Sequence, residues 1–303
     1  MARAGSQGAG MNLLVTITFN ALKDDILDPF FDCFLAQDSR DCQLLVIDNA
    51  STDGTRDYLS RLDIPNVTVV LNDENVGFAR ACNQGIAVAR ERGAEFITFL
   101  NNDTEFGPTL FADMAASIRS SGADALSPLI PYHSDPARIW FATGSYRTAR
   151  GIIPYHDGIN DTRDAIAPPG IHDTAFAPGC CLMVRTAVFD DDLPGFDERY
   201  FVYWEDADLC RDLGRRGRRI VVDSRLECLH KVSVSTGGAF SDFSIRHFHR
   251  GHMLFVRKHF GWPWLLYVIP VSAAKTLLNV ARGRMRPRQL RLYCKGLLSG
   301  LNA

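Results

Sequence analysis

Glu205, Asp206 and Asp208 fall within four residues, directly after Tyr200, Phe201, Tyr203 and Trp204. On a helix Glu205 and Asp208 share a face, and Asp206 points elsewhere. Carboxylates at a helix start are favoured by the helix dipole, which needs no chemistry. The aromatic flank argues against full solvation, and carboxylates among aromatics acquire raised pKa values suited to a general base. A second acid, Asp103, follows Asn101 and Asn102 after an apolar run. Alone it reads as a turn or cap residue. As a hard oxygen ligand it would suit Mg²⁺ or Mn²⁺ bridging diphosphate oxygens. His230 ends another apolar run and is either a satisfied core histidine or a ligand.

The elements that must carry these groups alternate. Residues 12–18, 43–47, 67–71 and 96–100 read as buried strands. Residues 24–36, 52–62, 77–91 and 106–120 read as helices, with Pro108 tolerated near a first turn. This order predicts an α/β fold with a mostly parallel sheet covered on both faces. Ligands bind at the carboxyl ends of such strands. Here those ends are polar: Thr18 to Asn20, Asp48 to Ser51, residues 72–75, and Asn101 to Asp103. Residues 131–178 look loop-rich and 195–203 turn-like. Residues 204–214 read as a helix, and 219–222 and 225–229 as short strands.

Composition narrows the class. Of 303 residues, 46% are hydrophobic and 22% charged, which fits a globular protein and excludes disorder or a disulfide miniprotein. The net charge of −2 conceals an asymmetry. Residues 243–303 hold 11 Lys and Arg and no acid, leaving the first 242 residues at −13. An acidic body with a basic tail points to a surface or polyanion partner. No nucleic-acid module accompanies the charge, so nucleic acid is not expected. The eight cysteines form no zinc or disulfide spacing and read as reduced cytosolic thiols. Residues 1–10 lack a signal-peptide core and read as a leader before Met11. Neither GxGxxG nor GxxxxGK[ST] occurs, and residues 48–54 lack the alternating ligands of a calcium loop.

The strand ending TFN, then DNASTDGT, NVGFARACNQGI, FLNNDT and PGFDERYFVYWEDADLCRDLGRRG, and finally His230, occur in that order. Together they resemble a family 2 glycosyltransferase of GT-A fold, specifically its bacterial rhamnosyltransferase-like branch. The resemblance covers residues 12–230 and implies an inverting, metal-dependent transferase. Thr18, Asn20, Asp48 and Ser51 would hold the nucleobase and ribose. Asn75, Gly77, Arg80 and Asn83 would lie beside the nucleotide, with Gly77 letting backbone approach the ligand; Arg80 could equally be a surface arginine. The family's DxD motif appears as Asn101, Asn102 and Asp103, one carboxylate short, with Asn101 on ribose. Asp103 and His230 would be the metal ligands. Asp206 would be the base, with Glu205 orienting hydroxyls. Trp204 would offer a flat face to sugar, and Gly179 and Phe176 would help shape that pocket. Asp208 is expected to be structural, paired with Arg211 or Arg215.

The resemblance implies a GT-A domain over residues 11–240 and a helical extension over 241–303. Residues 262–271 give only about ten apolar positions between proline breaks, where a membrane span needs about 20. Trp, Tyr and basic neighbours suit an interfacial segment on an anionic leaflet. The alternative is a helical pair packed on the body or forming a homodimer. The expected activity moves rhamnose from dTDP-rhamnose to a lipid-linked surface-polysaccharide acceptor at the inner face of the cytoplasmic membrane. The alternatives are a UDP-hexose or UDP-galactofuranose donor, or a non-catalytic sugar-nucleotide or glycan-binding protein.

Overall fold

The computed structural model describes residues 10–22, 26–39, 41–166, 168–232 and 240–303. The expected leader, apart from Gly10, and the first positions of the helix expected at 24–36 lie outside these residues.

Four parallel strands form the first half of the sheet. Strand β1 (Asn12–Thr18) lies between β2 (Cys42–Asp48) and β4 (Phe96–Leu100), and β3 (Val67–Leu71) pairs with β2 at the edge. β1, β2 and β4 are buried along nearly their whole length, which is why they read as continuous apolar runs rather than alternating ones. Helices α1 (Leu27–Leu35), α2 (Thr55–Ser60), α3 (Phe78–Glu91) and α4 (Leu110–Ser121) connect this half. Helix α4 starts at Leu110 rather than 106, because β5 (Thr104–Phe106) is taken up by strand pairing.

The second half is mixed. Strand β6 (Ala125–Tyr132) pairs antiparallel with β7 (Asp135–Phe141), and β8 (Thr143–Arg147) and β9 (Ile153–Asp157) form a separate hairpin. Strand β10 (Ile171–Asp173) is an edge, and β11 (Cys181–Arg185) joins β4 to β6. The region expected to be loop-rich therefore holds four strands. Their residues are largely exposed or half-buried, so they lack the apolar runs that mark the other strands. The two short strands expected at 219–229 are one, β12 (Ile220–His230), whose register against β6 shifts between Asp223 and Glu227. Its far end pairs with β5, placing His230 opposite Thr104.

Helix α5 (Glu205–Arg215) precedes β12, and the tail forms α6 (Asp242–His259), α7 (Trp262–Ala281) and α8 (Leu290–Asn302). Met253, Leu254, Phe255 and Val256 of α6 are fully buried in the same core as the sheet. Proline does not break α7. Pro263 sits in its first turn, where no N–H is needed, and Pro270 lies inside it. The result is a 20-residue helix, long and apolar enough by length and composition to cross a membrane, in place of the ten-residue segment expected. Most of α7 is exposed; Leu266 is 83% and Trp262 61% accessible.

Candidate active site

The loops after β1 and β2 are stitched together by side chains. Asp48 is fully buried and accepts from Thr18 Oγ1 (3.0 Å), Ser51 N–H (3.0 Å) and Ser51 Oγ (2.5 Å). Asn20, in the left-handed region at φ 52°, accepts from Thr52 N–H through Oδ1. Its own N–H donates to Ser51 Oγ. Asp48 was expected to accept directly from base or ribose. Its oxygens instead bind the loop, so it shapes the backbone that a nucleotide would meet.

Gly77 makes a close approach, but to protein. It has φ 87°, and a Cβ there would lie 2.7 Å from the Phe201 carbonyl oxygen. That carbonyl accepts from Phe78 N–H at 2.6 Å. Asn75 Oδ1 accepts from Gly77 N–H and fixes the turn. Asn83 clamps the same 195–204 segment, donating to Phe196 O and accepting from Phe196 N–H. Arg80 lies 3.8 Å from Glu198, both more than half exposed. The start of α3 thus holds the loop that delivers the carboxylates, a role that the motif's expected place beside the nucleotide did not suggest.

Asn101 N–H donates to Cys180 O and its carbonyl accepts from Thr104 Oγ1; the Asn102 side chain reaches Ile17 O at 3.4 Å. Asp103 and His230 are both buried and adjacent, with His230 Nε2 3.2 Å from Asp103 Oδ1. Among the described residues, Asp103 Oδ1 and His230 Nδ1 have no hydrogen-bond partner. Two adjacent ligands of an octahedral ion with bonds of about 2.1 Å lie about 3.0 Å apart, so this pair fits Mg²⁺ or Mn²⁺. The β5–β12 register creates the pair, and Lys231 N–H, donating to Asp103 O, locks it.

The carboxylates stand at the head of α5, after two consecutive non-glycine residues in the left-handed region, Tyr203 (φ 67°) and Trp204 (φ 77°). Such conformations cost about 1–3 kcal/mol each and persist only where packing imposes them. Here they turn the chain so that Glu205 faces inward and Asp206 keeps part of its surface open. Asp206 accepts from Gly179 N–H (3.2 Å) and Ala207 N–H (2.7 Å). Burial raises its pKa, and those N–H groups restrain the rise. Glu205 has an oxygen without a partner among the described residues, and burial followed by the Asp206 charge pushes its pKa well up. Of the two, Glu205 is pushed up the further, so Asp206 is the one that more readily carries charge.

The profile of glycosyl transferase family 2 matches residues 13–193. The chain belongs to that family. It is 29% identical, over 87% of its length and 94% of the relative's, to the N-acetylglucosaminyl-diphospho-decaprenol L-rhamnosyltransferase of Mycobacterium tuberculosis. Its fold resembles GalNAc-T7 with UDP, GalNAc and Mn²⁺ (TM-score 0.62, 12% identity), covering 83% of this chain and 48% of that one. It also resembles the mannosyltransferase PcManGT of Pyrobaculum calidifontis with GDP-Man and Mn²⁺ (TM-score 0.58, 18% identity, 98% and 76% covered). The fold is GT-A, and the protein is a sugar-transferring enzyme.

Two expectations for this family 2 chain change in three dimensions. Trp204 was expected to face sugar, but it is 3% exposed and its indole stacks on His252 of α6 at 4.6 Å and 9°. Gly179 turns its N–H to Asp206, and Phe176 is buried against Phe141 and Tyr146. Asp208 pairs with neither Arg211 nor Arg215. It accepts from Tyr200 (3.0 Å), Lys258 (2.6 Å) and His259 (2.7 Å). Arg211 lies instead over Tyr146 and Phe260. Asp208, Asp212 and His259 have metal-like spacing. The Lys258 ammonium, 2.6 Å from Asp208 and 2.9 Å from Asp212, already supplies the cation there.

Sequence reasoning missed Lys258 and His259, which read as part of a basic surface. It also missed Trp140, whose half-buried ring meets His230 edge-on at 4.5 Å. Only the short apolar run of Ile139, Trp140 and Phe141 within a stretch rich in Gly, Pro and Asp marked that position.

Proposed function

We propose that the protein transfers rhamnose from dTDP-rhamnose, with inversion, to a lipid-linked surface-polysaccharide acceptor. The observation that carries this reading is that residues 179–180 link two groups of functional side chains: Gly179 N–H donates to Asp206 at the head of α5, and Cys180 O accepts from Asn101 N–H beside the Asp103–His230 pair. The rhamnosyl group and lipid acceptor are read from the relative's name, and inversion is what the family 2 resemblance implies.

Asp206 takes the proton of the acceptor hydroxyl as its oxygen attacks the anomeric carbon. The bond to the nucleoside diphosphate breaks on the opposite face, inverting the configuration. Glu205, expected to orient hydroxyls, is buried beside Asp206 and would position that base rather than touch sugar. Asp103 and His230 would hold a divalent ion, which when bound neutralises charge on the diphosphate. Asn101 and Asn102 border that position. The loops at Thr18, Asn20, Asp48 and Ser51 seat the nucleoside, and Trp140 replaces Trp204 as the aromatic face for sugar.

Helix α7 supports a peripheral place on the cytoplasmic face of the membrane. Tyr267 and Lys275 tie one side of it to the β8–β9 hairpin by donating to Ala149 O and Arg150 O. Trp262, Leu266 and Leu277 are exposed, and arginines 282, 284, 286, 288 and 291 follow. Apolar anchors with an adjacent basic run suit an anionic leaflet.

A thermal-shift panel tests the donor and metal. It would compare dTDP-rhamnose, UDP-glucose, UDP-galactofuranose and GDP-mannose, with Mn²⁺ or with EDTA. A donor at 100 times its Kd stabilises by about 2.7 kcal/mol, a shift of several degrees. The expected result is a Mn²⁺-dependent shift with dTDP-rhamnose. A shift with a UDP-sugar alone replaces the donor. No shift with any donor favours a glycan-binding role.

A further inference from the structure

A cavity of about 470 Å³ lies between α6, α7 and the β8–β9 turn, and nothing in the transfer chemistry uses it. Ile245 and Phe248 of α6, Val271 of α7 and Met285 give it apolar walls. Ser272, Thr276 and Asn279 add a few polar groups to the wall, and its two histidines carry no charge. Burial pushes His249 and His252 down to about 4, so both are neutral at physiological pH. His252 also donates its Nε2 hydrogen to Gly151 O at 2.7 Å, so that hydrogen bond is already satisfied. Charge appears only at the edge, on the exposed side chains of Arg150 and Lys275.

The cavity touches the catalytic turn. Tyr203 lines it, its hydroxyl 2.8 Å from Ser244 Oγ of α6. His252 stacks on Trp204, the residue before Glu205. An occupant would thus lie a few residues from the proposed base. On its other side the cavity adjoins α7, whose outer apolar face is exposed.

We propose that this cavity receives the isoprenoid chain of a polyprenyl diphosphate acceptor, with the diphosphate held at the Arg150 and Lys275 edge. The inference rests on the lipid-linked acceptor proposed above. A neutral apolar interior with a cationic rim complements an amphiphile that has a hydrocarbon chain and an anionic head. The same helix carries exposed apolar residues, Trp262, Leu266 and Leu277, that would set the cavity close to a bilayer.

The test is calorimetric titration of the full chain with farnesyl diphosphate in EDTA, without donor. Inorganic diphosphate and farnesol serve as controls. Wild type is expected to bind one farnesyl diphosphate and no inorganic diphosphate. Val271→Phe, which fills the cavity, should weaken binding at least tenfold while keeping the wild-type melting temperature. Lys275→Glu, at an exposed position, should weaken farnesyl diphosphate and leave farnesol unchanged. The proposal is overturned if wild type does not bind, if both variants bind like wild type, or if dispersed phosphatidylglycerol displaces the probe at equal concentration. Since neither metal nor nucleotide sugar is present, a wrong donor assignment leaves this titration unaffected. A failed titration in turn leaves the donor panel standing.

Discussion

Glu205→Gln tests the electrostatic division between the two adjacent carboxylates. In the folded protein Glu205 is buried, one oxygen lacks a partner among the described residues, and Asp206 lies next to it. Burial first, then the Asp206 charge, keeps its proton bound well above the ordinary value of 4.5. The unfolded chain releases that proton near 4.5. Between that pH and the folded-state value, the folded protein holds one more proton than the unfolded chain. Stability is therefore fully present below 4.5 and declines as pH rises, at about 1.4 kcal/mol per pH unit. Two pH units inside this window remove about 2.7 kcal/mol. Glutamine resembles the protonated acid in shape and cannot ionise, so the variant lacks this slope. Urea unfolding at pH 5, 6, 7 and 8 should show the variant gaining on wild type as pH rises, with equal m-values. Parallel stability curves would mean that Glu205 is ionised in the folded protein, and the assignment of charge to Asp206 would fail.

Three further outcomes are expected. Asp206→Asn should lower transfer by about 10²–10⁴-fold, the usual contribution of a positioned base, while the donor thermal shift persists; wild-type turnover would remove Asp206 from that role. Lys258→Met leaves Asp208 and Asp212 without their shared cation and should cost about 3 kcal/mol in urea unfolding, whereas a loss below 1 kcal/mol would show the network to be solvent-screened. Gly77→Ala forces a side chain into a conformation reserved for glycine and against Phe201 O, so stability should fall by about 1–3 kcal/mol with a parallel loss of transfer; an unchanged enzyme would show that the 195–204 loop need not be held there.

The parallel half of the fold was legible because β1, β2 and β4 bury contiguous apolar runs and β3, though only half-buried, is rich in β-branched residues. Residues 12–18 and 67–71 match their strands to the residue, and 43–47 and 96–100 fall within or on theirs. Order along the chain also placed polar groups at strand ends, spacing singled out Glu205, Asp206 and Asp208, and the family resemblance gave Asp103 and His230 their expected role. The sequence alone determined which residues were available for chemistry and that both halves of the chain contribute them.

Tertiary structure decided what each group touches. The β5–β12 register brings Asp103 to His230 across 127 positions of sequence, and no local period encodes that pairing. Packing of α6 covers Trp204 with His252 and gives Asp208 a lysine and a histidine from about fifty residues further on. A charge in the basic tail thus became an internal counter-ion, a role that composition could not distinguish from a solvated surface. Likewise, Gly77 opens space for Phe201 rather than for ligand. Local periodicity records only whether a segment is buried. The partner of a buried polar group is chosen by the packing of distant elements, because desolvation makes any unpaired arrangement costly.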